Sequence, residues 1–180
     1  MKPLLRFEDV ALRRGGRLLF EQLDLALCPG EALLVRGPNG SGKSSLIRLA
    51  AGLLAPEHGR VERSPLALAD EHDALDGELP LGRALAFWGT KTLDPLGLSH
   101  LRDVPVRLLS SGQRKRAALA RVVDSGAPLW LLDEPFNALD SDGAGRLEAL
   151  ISQHLARGGA LLAASHQPIA GIARTLELGQ

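Results

Sequence analysis

Apolar positions recur along the chain in three different rhythms. Over residues 4–12 they roughly alternate with polar ones, the period of a half-buried strand. Residues 18–27 continue as a second, irregular strand region with Leu23, Leu25 and Leu27 on one face, and Arg13-Arg14-Gly15-Gly16 supplies the turn between the two. Further on the strands change character. Residues 32–36, 129–132 and 160–164 are short apolar runs without alternation, as expected of strands covered on both faces of a parallel sheet. Residues 59–63 and 66–69 read as short strands, and 175–178 as a last one. The third rhythm is helical. It predicts helices over 43–53, over 79–88 with Leu81, Leu85 and Trp88 on one side, and over 111–124 with a face of small residues at Ala117, Ala118 and Ala120. A fourth helix over 141–157 carries Ala144, Leu147, Leu150, Ile151 and Leu155 on its apolar stripe and stops at Gly158-Gly159. Residues 70–77 have no period and read as loop. Pro95, Gly97 and Pro105 allow only short helices over 90–106. Strands alternating with helices predict an α/β fold with a mainly parallel core sheet, an antiparallel β part near the N-terminus, and a short helical subdomain over 72–124.

Composition narrows this picture. A chain of 180 residues is about one domain long, so residues 1–180 are expected to form one domain. Lys plus Arg and Asp plus Glu are both 21, and a net charge of zero gives no footprint for nucleic acid. The single cysteine, Cys28, has no partner for an intrachain disulfide, which fits a reducing compartment; its apolar surroundings make it a buried structural thiol. The first six residues lack the apolar core of a signal peptide, and no apolar run approaches the ~20 residues that cross a bilayer. Work at a membrane would need another chain to supply the membrane part.

Two segments carry chemistry. Gly37-Pro38-Asn39-Gly40-Ser41-Gly42-Lys43-Ser44 matches the phosphate-binding P-loop in full, between a predicted strand and a predicted helix. Its glycines let the backbone N–H groups turn toward phosphate oxygens, and the helix N-terminus adds partial positive charge. Lys43 would reach the β- and γ-phosphates, and the Ser44 hydroxyl would ligate Mg²⁺. The second segment, Leu129-Trp130-Leu131-Leu132-Asp133-Glu134, delivers two carboxylates at the end of an apolar strand, where α/β sheets place their ligands. Asp133 would hold Mg²⁺ through its water, and Glu134 would act as general base on an attacking water. Alone, such a pair also fits a solvated acidic turn; following a P-loop on one parallel sheet, it reads as the second half of a nucleotide site.

Between these segments lies Leu109-Ser110-Ser111-Gly112-Gln113, followed by the basic run Arg114-Lys115-Arg116. From the residues alone, Ser110 or Ser111 is a helix N-cap and the run a solvated face. With its neighbours, the segment resembles the signature of the ATP-binding cassette (ABC) family, with Ser111 in place of the usual first glycine. Asn137-Ala138-Leu139-Asp140 resembles the family's D-loop, and Ser165-His166 its switch histidine. The resemblance implies a P-loop ABC cassette that binds ATP with Mg²⁺. Its nucleotide contacts would come from residues 37–45, Gly37, Pro38, Asn39, Gly40, Ser41, Gly42, Lys43, Ser44 and Ser45. The metal would be held by Ser44 and Asp133, and catalysis would be carried by Glu134 and His166. It also implies that Ser110, Ser111, Gly112 and Gln113 touch the nucleotide of a second copy in a head-to-tail dimer, and that integral membrane permease subunits are partners. Two positions depart from the pattern. Arg14 stands where the family has an aromatic residue against adenine, and His72 falls nearest the family's glutamine.

Within the family, residues 73–75, 85–88, 105–116 and 127–140 are similar to the ATPase subunits of bacterial cytochrome c maturation. That likeness implies haem export or release of a haem-loaded chaperone, driven from the cytoplasmic face of the inner membrane. The rivals are another ABC importer or exporter, a non-transport ABC ATPase, and a P-loop kinase acting on a small molecule.

Overall fold

The computed structural model describes residues 2–72 and 74–179. Its elements, in order, are β1 (Leu5–Arg14), β2 (Arg17–Leu27), β3 (Ala32–Arg36), α1 (Lys43–Ala51), β4 (His58–Arg63), β5 (Leu66–Ala69), α2 (Leu81–Phe87), α3 (Ser111–Asp124), β6 (Leu129–Asp133), α4 (Ser141–Ala156), β7 (Ala160–Ala164) and β8 (Thr175–Glu177). Three 3₁₀ turns, at Asp94–Leu96, Ser99–Leu101 and Val106–Leu108, fill the stretch where proline and glycine forbid longer helices.

The strands form two sheets. An antiparallel one has the order β2-β1-β4, and a five-stranded one the order β5-β6-β7-β3-β8. Among the described residues, every pairing in the second sheet is parallel. The unbroken apolar runs are explained by a strict division of faces. Leu33, Val35, Leu129, Leu131 and Leu162 pack toward α1 and the antiparallel sheet. Leu34, Trp130, Leu132, Leu161 and Ala163 pack toward α2, α3 and α4. Each central strand is thus covered on both sides, and its carboxyl end is where such a sheet presents polar side chains.

Two expectations change. Trp88 does not share the buried side of α2 with Leu81 and Leu85. It follows the helix as its C-cap and stays 46% exposed, held by its indole N–H donating to the Ala74 carbonyl (3.1 Å), by an edge contact with Phe87 and by the Arg121 guanidinium over its ring. Cys28 is only half-buried, because it lies at the Pro29-Gly30 turn beyond β2 rather than inside the strand.

Trp130, by contrast, is buried and stacks on the His154 imidazole, ring centroids 3.9 Å apart and nearly coplanar. Burial lowers the His154 pKa below its usual 6.5, against the opposing pull of the Ala160 and Pro128 carbonyls. A folded-state pKa below the unfolded one means that the unfolded chain binds the proton more readily. The contribution of His154 to stability is therefore complete above about pH 6.5 and is lost as pH falls through the lower folded-state value. Thermal melts of the parent from pH 7.5 to 5.5 are expected to fall more steeply than those of His154→Gln; parallel curves would contradict the assignment.

Candidate active site

The phosphate loop leaves β3 at Arg36 and enters α1 at Lys43. Gly37, Gly40 and the N-cap Gly42 all have positive φ (144°, 79° and 105°), a course that L side chains rarely follow. Gly37 has a second constraint: a Cβ there would collide with the Leu178 carbonyl oxygen just past β8 and with Ser41 Oγ. The loop therefore rests on the end of the last strand. Lys43, only 7% exposed, folds back so that Nζ donates to the carbonyls of Gly37 (2.9 Å) and Pro38 (3.1 Å). These bonds hold the ammonium within the loop.

Asp133 and Glu134 close β6. The Glu134 amide donates to Ala164 O of β7 (2.8 Å), and its φ is +45°, a left-handed conformation costing a non-glycine residue about 1–3 kcal/mol. Such an outlier turns the carboxylate away from the path of the strand and into the cleft. Glu134 Oε1 is buried and has no hydrogen-bond partner; His166 Nε2 lies 3.3 Å from it, at ion-pair distance but without hydrogen-bond alignment. Asp133 is buried behind it, and Asp133 Oδ1 and Ser41 Oγ also lack partners. Buried polar atoms without partners are costly in a finished core and ordinary in a site that awaits a ligand.

Glu134 and His166 meet Lys43 and Ser44 in one open cleft of about 500 Å³, lined also by Asn39 and Asn137 among others, while Asp133 and Ser41 are buried and not part of its lining. The phosphate loop, Glu134 and His166, distant in sequence, thus converge as the strand ends dictate. Arg14 also reaches the cleft, its Nη1 donating to Ser45 Oγ (3.4 Å). Leu19, which the pattern of β2 left as an ordinary apolar position, packs its side chain over Gly42 and forms a wall of the cleft. No local signal marked Leu19, since its place depends on how the antiparallel sheet meets the loop.

Two further segments lie outside this cleft. His72 is exposed, near Asp70 Oδ2 (3.6 Å) and Glu71 Oε1 (3.9 Å), and faces a different cleft beside Leu53 and Trp88. The signature segment is also outside the phosphate cleft. Ser110 caps α3 through a reciprocal capping box, accepting from the Gln113 amide (3.2 Å) while the Ser110 amide donates to Gln113 Oε1 (2.8 Å). Such a cap contributes about 0.5–2 kcal/mol and leaves the helix N-terminus pointing outward. Ser111 borders a neighbouring groove with Asn137 and Ala138, and a Cβ on Gly112 would strike the Ala138 carbonyl oxygen. Asn137 borders both clefts and so links them.

Comparison with known proteins agrees with this geometry. Residues 20–137 match the ABC transporter family. The chain is 56% identical to the cytochrome c biogenesis ATP-binding export protein CcmA of Sphingopyxis alaskensis, over 94% of this chain and 93% of the relative. It is 56% identical to the protein of the same name from Novosphingobium aromaticivorans, over 90% and 88%. Among solved structures, an ATP-binding subunit of an ABC transporter superposes with a TM-score of 0.82 at 23% identity, covering 91% of this chain and 79% of that one. An ATP-binding cassette in a dimeric post-hydrolysis state with ADP and phosphate gives 0.82 at 19%, covering 97% and 94%. At these identities the two structures speak for the fold, and the relatives speak for the family. The chain belongs to the ABC transporter family, as an ATPase of the group of cytochrome c biogenesis ATP-binding export proteins.

Proposed function

We propose that this chain binds Mg-ATP in the cleft of Lys43 and Glu134 and hydrolyses it to power haem export, or release of a haem-loaded chaperone, during cytochrome c assembly. The convergence of Lys43, Ser44, Glu134 and His166 on one cleft carries the hydrolytic part of this reading; the likeness to export proteins of cytochrome c biogenesis carries the pathway. The phosphate tail lies along residues 37–45, with loop N–H groups and Lys43 meeting its oxygens. The Ser44 hydroxyl and the partnerless Asp133 Oδ1 form an all-oxygen donor set that suits Mg²⁺, which supplies charge neutralisation at the phosphates. Glu134 takes a proton from the attacking water, and His166 contacts the γ-phosphate. Arg14 offers its guanidinium plane to adenine.

The outward N-terminus of α3, at Ser110 to Gln113, contacts nucleotide held by a second copy, giving a head-to-tail dimer. The likeness to export proteins supports integral membrane subunits that carry the path, with this chain working peripherally at the cytoplasmic face of the inner membrane; among the described residues no helix is long and apolar enough to cross a membrane. The exposed Phe87 (81%), Trp88 and Leu53 (62%), around the cleft that His72 faces, form the apolar surface on which those subunits dock.

Purification from native membranes in mild detergent, with co-purifying chains identified by mass spectrometry, tests the pathway. Integral membrane subunits of cytochrome c assembly are expected. A sugar or lipid permease in their place would leave the ATPase and reject the pathway.

A further inference from the structure

The peptide group joining Asp133 to Glu134 is gripped from both sides. Its N–H, that of Glu134, donates to Ala164 O on β7. Its carbonyl, that of Asp133, accepts from Lys115 Nζ at 3.0 Å. This peptide plane sets the reference for the left-handed φ of Glu134, and hence the direction in which that carboxylate leaves the chain. Lys115 belongs to the first turns of α3, whose N-cap is Ser110. The basic run Arg114-Lys115-Arg116 is therefore not simply a solvated face. Its middle residue turns inward, partly buried, toward the charges of Asp133, Glu134 and Asp70.

We propose that Lys115 is a positioning residue for Glu134. By holding the Asp133 carbonyl it fixes the peptide plane ahead of the base and ties the base's orientation to the pose of the signature helix. The inference rests on the reading of Glu134 as the base. Its mechanical content follows from the geometry. A strained residue keeps its conformation only when its surroundings over-determine it, and here the two restraints come from β7, which leads to His166, and from α3, which begins at the signature. A shift of α3 on meeting a second copy's nucleotide is thereby transmitted to Glu134 through one hydrogen bond.

Lys115→Met keeps the aliphatic stem and removes the donor. Lys115→Gln restores a neutral donor, and Lys115→Arg restores both donor and charge. In Lys115→Met, kcat for ATP is expected to fall by about 10- to 100-fold, the cost of a misplaced reacting group, with KM little changed. In the nucleotide-free protein, amide exchange is expected to quicken at residues 134–138 while the rest of α3 and the melting temperature stay at parental values. Gln and Arg should each recover part of kcat and of the protection. Unchanged kcat and exchange in Lys115→Met would overturn the proposal. So would recovery by Arg but not by Gln, which would make charge rather than the hydrogen bond responsible, or loss of protection along all of α3 with a lowered melting temperature. If the Met variant does not fold, the comparison of Gln with Arg decides alone. Glu134→Gln distinguishes the two levels: a Glu134→Gln variant of normal activity removes the base itself, whereas an inactive one alongside a normal Lys115→Met removes only the Lys115 link.

Discussion

Glu134→Gln is expected to lower ATP turnover by about 10²- to 10⁴-fold, the usual contribution of a positioned general base, and to leave ATP binding intact. The substitution keeps the shape of the side chain and removes its basicity. Neither peptide restraint on residue 134 involves the side chain, so the left-handed backbone and the bond to Ala164 O should survive. The amide would still sit in the cleft near His166 Nε2, where the carboxylate oxygen now lies at 3.3 Å. Bound ATP would persist unhydrolysed, and the head-to-tail dimer should accumulate on size exclusion in the presence of Mg-ATP. Equilibrium binding and steady-state phosphate release measure the two halves separately. A variant that turns over ATP at the parental rate would remove Glu134 from the chemistry.

Lys43→Ala acts at the preceding step. A hydrogen bond to a charged group is worth about 1.5–3 kcal/mol, and 1.4 kcal/mol is tenfold in affinity. On the proposed role, in which the ammonium serves two phosphates, its loss is expected to weaken ATP binding by about 100-fold or more. The effect has a second source. Lys43 Nζ ties the Gly37 and Pro38 carbonyls together from inside the loop, so the variant is also expected to loosen the loop. Calorimetric titration with ATP reads the affinity, and thermal melts read the loop. ATP should raise the melting temperature of the parent and not that of Lys43→Ala, since only a ligand bound to the folded state stabilises it. Unaltered affinity would show that the lysine serves the loop alone.

The parts of the site that were legible in the sequence share a physical reason. Residues 37–44 and 129–134 couple a buried apolar strand to a polar terminus, and the parallel sheet brings such termini to one edge whatever lies between them. The helix over 111–124 was legible because its cap, Ser110, and its small buried face, Ala117, Ala118 and Ala120, are both local signals. Contacts decided by the order of strands and the meeting of two sheets were not. Leu19 over Gly42, and Leu178 beneath Gly37, belong to elements whose neighbours no period reveals. Lys115 looked like one of three solvated bases because helical spacing says which side a residue occupies but not that a strand end waits there with an open carbonyl. Trp88 misled for the opposite reason: hydrophobicity predicted burial for a side chain held at the surface by Ala74, Phe87 and Arg121.

The sheet order also bears on how the chain matures. β3, from which the phosphate loop springs, lies between β7 and β8 and, among the described residues, pairs with no strand made before them. Contacts between such distant stretches are slow to form, because the loop between them must first be closed. During synthesis the phosphate loop leaves the ribosome well before its floor at Leu178. A nascent chain carries the whole nucleotide motif long before it has a nucleotide site, so capture of ATP becomes a late event in folding that marks a finished sheet.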